Sequence, residues 1–186
     1  MTPAWEVANA TSPPPHPQAA LSAVRLSNDL DSNDADMHRW YGIILSGAGA
    51  YQSTKEYIAN TFIIRSHWEE AIALNPSDAS AHHLLGRWSF DVASMSWMKR
   101  KLAATLFAEP PTARFDEALE YFLAAERIAP GFWKKNLVMV AKSHIALGNK
   151  DAAVEPLKKA VELRVVTAED KESHAEAEAL LKKLGA

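Results

Sequence analysis

Whatever chemistry this sequence offers rests on five basic residues: Arg39, His83, Arg87, Lys135 and Lys142. If the chain is built of paired helices, each falls on the first helix of a pair and toward the same side. Arg87 and Lys142 then occupy equivalent places in successive pairs. Guanidinium and ammonium groups gathered on one concave surface hold carboxylate or phosphate, arginine doing so through two parallel bonds. Low-dielectric walls focus their field. These positions are the expected partner-binding face, a cradle for an acidic peptide or an anionic lipid head. The same residues also read as solvated helix faces whose aliphatic stems cover apolar neighbours. The sequence leaves both readings open.

Little else is arranged for chemistry. The chain has no cysteine, which excludes disulfides, a thiol nucleophile and thiolate metal sites. Its seven histidines are scattered, and the adjacent His82 and His83 point about 100° apart on a helix rather than toward one metal. There is no His-Glu-x-x-His run, phosphate-cradling glycine loop or Gly-x-Ser-x-Gly elbow. "SGAGAY" at Ser46–Tyr51 has two glycines but no preceding strand and no following lysine, and reads as a loosened helix end. No catalysis, metal or cofactor is expected. A formal net charge of -3 over 186 residues lacks the basic excess of a nucleic-acid binder.

The stretch "GRWSFDVASMSWMKRKLAATLFAEPP", Gly86 to Pro111, combines aromatics with a basic triplet. On a helix Lys99, Arg100 and Lys101 fan over a wide arc and cannot all enter one groove. They form a secondary basic patch, read either as a solvated face opposite Trp97, Met98 and Leu102 or as an outer contact with an acidic or anionic-lipid surface. Trp88, Trp97, Phe107 and Trp133 are expected to pack in the core. A second reading has Trp97, Met98, Leu102, Leu106 and Phe107 walling an apolar cavity for lipid.

These residues need helices to position them, and helical periodicity is what the chain shows. Residues 1–17 are proline-rich, a flexible lead-in. In "FDEALEYFLAAERIAP", Phe115, Leu119, Phe122, Leu123 and Ile128 share a face, with Asp116 and Glu117 in the first turn and Pro130-Gly131 as the stop. Ala118, Phe122, Ala125 and Pro130 match, in order and spacing, the second helix of the tetratricopeptide unit, two antiparallel helices in about 34 residues. Ala153, Leu157 and Ala160 repeat the pattern, with Gly148-Asn149 as the stop of the preceding helix. Trp68, Ala71 and Pro76 take the aromatic, alanine and proline places upstream, with Ile64 where the first alanine would stand. Tyr41-Gly42 and Leu85-Gly86 stand at the Leu-Gly place of first helices.

The expected fold is all-α, a tetratricopeptide-like right-handed solenoid of antiparallel helix pairs. An orphan helix at 18–30 precedes repeats at about 35–76, 79–130 and 133–165, and a capping helix at 167–184 starts from Thr167 and Asp170. The orphan helix exposes Leu21, Val24 and Leu26, from which self-association or docking is expected.

The segments "DMHRWYGIILSG", "HWEEAIALNPSDASAHHLLGRW", "SWMKRKLAATLFAEPPTARFDEALEYFLAAERIAPGFWKKN" and "VVTAEDKE" resemble the regulator of microtubule dynamics family over roughly Ala35 to Leu184. The resemblance implies a non-enzymatic microtubule-associated adaptor that binds microtubules or tubulin, or another acidic protein, in the cytoplasm and on the cytoskeleton, spindle or axonemal microtubules included. One branch of the family handles phospholipid at organelle contacts and carries a membrane anchor ahead of its repeats. It implies the alternative, a phospholipid-binding or transfer module. No window here has the apolar length of a membrane span, so the mitochondrial surface is the lesser candidate. A fragment, a shortened isoform and a divergent small member all stay open.

Overall fold

The computed structural model describes residues 33–47, 53–106 and 111–186. The lead-in, the helix expected at 18–30, Phe107 and Pro110 lie outside the described residues, as do the side chains of Lys99, Leu102 and Leu106. The described residues form helices and no strand: α1 (Ala35–Gly47), α2 (Thr54–Leu74), α3 (Ala79–Ala93), α4 (Trp97–Leu106), α5 (Phe115–Ile128), α6 (Lys134–Ala146), α7 (Lys150–Glu162) and α8 (Ala168–Leu184). They fall into two compact units. One holds the described residues up to Ala81 together with Met95–Thr112; the other holds His82–Ser94 and Ala113–Ala186.

In the first unit α1 packs on α2. The Asp34 carboxylate starts α1 by accepting from the backbone N–H of Asp36 at 2.8 Å and of Met37 at 3.3 Å. Ser53 and Glu56 start α2 as a reciprocal capping box, satisfying donors that helix geometry leaves without partners. Met37, Tyr41 and Leu45, four residues apart, bury the inner stripe of α1. Trp68 of α2 covers Gly42, where a Cβ would meet its Nε1 at 2.2 Å. That Nε1–H donates to the Arg39 carbonyl at 3.2 Å.

Gly86 and Phe122 repeat this arrangement in the second unit, where a Cβ on Gly86 would lie 2.8 Å from the Phe122 ring. There α6 packs against α5, α7 and α8, and α7 against α8. Leu137, Val138, Ala141, Ala153, Leu157, Ala160 and Ala177 form one buried cluster. With Leu157 in place of an aromatic, the cluster accommodates Ala141. Gly148, at φ +83°, ends α6 in the left-handed conformation that favours glycine. The Lys134 side chain is buried and its ammonium donates to the Ala160 carbonyl and, at 2.6 Å, to the Leu163 carbonyl. It thereby ties the start of α6 to the end of α7. Burial pulls this ammonium below its ordinary lysine value, against the opposing pull of Asp170.

Within the insertion, the expected core position of Trp97 is not what the structure has. α3 ends at Ala93, and α4 is a separate ten-residue helix. Trp88 is buried, but Trp97 and Met98 are 71% and 74% exposed. Neither is a core residue. Lys101 lies over the Trp97 ring, 5.1 Å from its centroid, because residues four apart share a helix face. Lys101 is therefore not on the side opposite Trp97. Only Ala103 of α4 is fully buried among the described side chains.

Candidate functional site

Two of the five basic residues serve the fold. Arg39 belongs to the first unit, where its guanidinium pairs with Asp36 at 2.9 Å and with Asp78. Its side chain is only 12% exposed. Asp78 also accepts from the backbone N–H of Ser80 at 2.9 Å and of Ala81 at 3.3 Å. One carboxylate thus caps α3 and holds Arg39. The second residue, His83, is buried rather than lining an open face. Its Nδ1 bonds the Asn136 side-chain oxygen at 2.9 Å, and its ring lies 4.0 Å from that of Trp133. Burial lowers its pKa to about 3; the Asn136 bond opposes this, and Arg87 and Lys135 add to it. A neutral, enclosed imidazole cannot offer a charged donor to a partner.

The other three lie in the second unit. Lys135 and Lys142 are two turns apart on α6, yet both reach one carboxylate, Glu176 of α8. Their Nζ atoms lie 3.5 Å and 2.7 Å from its oxygens. Burial raises the Glu176 pKa, but the Lys142 hydrogen bond and charge, then Lys135, outweigh it and leave the carboxyl below its ordinary value. The Lys142 ammonium also stands 6.0 Å from the Phe90 ring centroid on α3. Arg87, three residues earlier on α3, is 42% exposed and pairs with Asp91 at 3.6 Å. Three cations from α3 and α6 therefore stand against two carboxylates. Such a face suits an anion. Arg100 and Lys101 belong to the first unit and are exposed.

The sequence reading missed Glu176, Asn136 and Asp78. For Asp78 a signal existed: "NPSDAS" sets aspartate immediately before a helical pattern, an ordinary N-cap. Nothing local marks Glu176 or Asn136, which lie 34 and 53 residues from their partners.

These helix pairs, joined by small-residue and aromatic contacts, define an all-α protein of the tetratricopeptide-like class. A MamA crystal structure matches at TM-score 0.54 and 21% identity, over 86% of this chain and 67% of that one. A MamA RS-1 double mutant matches at 0.59 and 16%, over 91% and 83%. These likenesses speak to the fold alone. The chain belongs to the regulator of microtubule dynamics protein 1-3 family, which it matches over residues 15–185. It is 43% identical to regulator of microtubule dynamics protein 1 of Homo sapiens over 154 residues, 82% of this chain and 49% of that protein. For the Bos taurus protein 1 the identity is 40% over 163 residues, 88% and 51%. For protein 3 of Xenopus laevis it is 39% over 148 residues, 80% and 32%. The chain spans about half the length of the protein 1 relatives. Among the described residues no helix is long and apolar enough to cross a membrane.

Proposed function

We propose that this chain is a non-enzymatic interaction module that associates with microtubules by binding an acidic segment of tubulin or of a microtubule-bound protein. The convergence of Lys135 and Lys142 on a single partly exposed carboxylate carries this reading. It supports α6 as a place for a partner's anion, with Arg87 on the neighbouring helix. The relatives' names supply the cytoskeletal context, and a cytoplasmic, cytoskeleton-associated location is part of this proposal. The binding face is Arg87, Lys135 and Lys142, with Arg39 and His83 serving the scaffold.

The test is co-sedimentation with purified microtubules across a salt series. Binding should weaken steeply with salt, because exposed charges are screened over about 10 Å at 0.1 M. It should be lost in the Arg87→Glu, Lys142→Glu double variant. Full binding by that variant at low salt would refute the assignment of the face.

A second reading draws on one observation, the exposed Trp97 and Met98 beside Arg100 and Lys101. An apolar tip among cations suits the surface of an anionic phospholipid layer. Flotation with vesicles rich in phosphatidylserine tests it: Trp97→Ala with Met98→Ala should abolish binding, and unchanged binding would remove this reading.

A further inference from the structure

Glu176 occupies the place on α6 that an acidic partner needs. It reaches across from α8 to take Lys142 at 2.7 Å and Lys135 at 3.5 Å, while two-thirds of its side chain is withdrawn from water. We propose that Glu176 is a resident competitor, an internal carboxylate that must be displaced before a partner's carboxylates can bind, and that it sets the selectivity of the face. This inference rests on the acidic-partner reading above.

The chemistry follows from counting charges. A lone carboxylate that displaces Glu176 exchanges one ion pair for another of the same kind and gains little. A run of neighbouring carboxylates can engage Lys135, Lys142 and Arg87 together, so its local concentration at the second and third cations is high. The face is therefore selective for contiguous acidic runs over single acids. Displacement does not require α8 to leave. That helix is anchored apart from Glu176, through buried Ala177 and the packing of Leu180, Leu181 and Leu184 on the α6–α7 cluster. The Trp133 indole N–H also donates to Glu169 at 2.9 Å. Rotation of one partly exposed side chain toward solvent is sufficient.

The experiment is fluorescence anisotropy with a labelled octaglutamate peptide on the full chain, with circular dichroism to verify folding. Glu176→Gln should tighten binding about three- to fivefold, the scale of a partly exposed ion pair. The gain should shrink when Lys142→Met is added. Unchanged or weaker binding by Glu176→Gln, with binding still lost in Arg87→Glu plus Lys142→Glu, would overturn the competitor and leave the binding face standing. Binding that is absent, or indifferent to that charge reversal, would remove the face and the competitor together. A measurement on the unaltered chain guards against a folding defect in the variant. At saturating octaglutamate the 13C carboxyl resonance of Glu176 should move to the position of a solvated glutamate; a resonance that stays put overturns the inference.

Discussion

The Trp68 indole fills the space where a Gly42 side chain would stand, with its Nε1 2.2 Å from the position of a Cβ. The close approach of α1 and α2 therefore depends on the absence of that one atom. Alanine is the better helix former by about 1 kcal/mol, so an exposed glycine here would gain from replacement. Gly42→Ala should instead destabilise the chain by about 1–3 kcal/mol through overpacking, seen as a lower urea midpoint. An unchanged midpoint would mean that α2 shifts freely.

Asp78 and Asp36 both pair with Arg39, but they should not be equivalent. Asp36 is exposed, and its pair with Arg39 is of the surface kind, worth about 0–1 kcal/mol. Asp78 is nearly buried and also caps α3, a role worth about 1 kcal/mol by itself. Asp78→Ala should cost at least about 2 kcal/mol more than Asp36→Ala in chemical denaturation. Equal effects would contradict the assignment of Asp78 as the shared anchor.

His83 makes the fold sensitive to acid. Its folded pKa of about 3 lies below the ordinary value of 6.5. The stability gained by keeping it neutral is complete above pH 6.5 and is lost as pH falls toward 3. His67, lowered to about 4 by burial and by His38, acts in the same direction. Between pH 6 and 4 the unfolding free energy should fall more steeply in the unaltered chain than in His83→Gln, by about 1.4 kcal/mol per pH unit, one proton's worth. Parallel curves would show that His83 titrates normally.

How much of this was legible depended on the distance over which each constraint acts. Gly42, Gly86, Trp68 and Phe122 announced the helix-pair packing, because small and large residues at helical spacing encode volume locally. Thr167 with Asp170, and Gly148 with Asn149, likewise mark boundaries within a few residues, and the structure has the Thr167–Asp170 capping box and the left-handed Gly148. The basic face was legible only as a set of charges. Whether each is spent internally depends on residues far along the chain: Asp78 for Arg39, Asn136 for His83, Glu176 for Lys135 and Lys142. Trp97 shows the converse, since its size argued for burial but among the described side chains of α4 only Ala103 is buried.

The most direct test of the central claim is a footprint of the acidic partner on 15N-labelled chain by NMR. A tubulin C-terminal tail peptide is the titrant. The account predicts shift changes concentrated at Arg87, Lys135, Lys142 and Glu176, with the His83 and Arg39 surroundings largely unmoved. Changes centred elsewhere, or none at peptide excess in low salt, would contradict it.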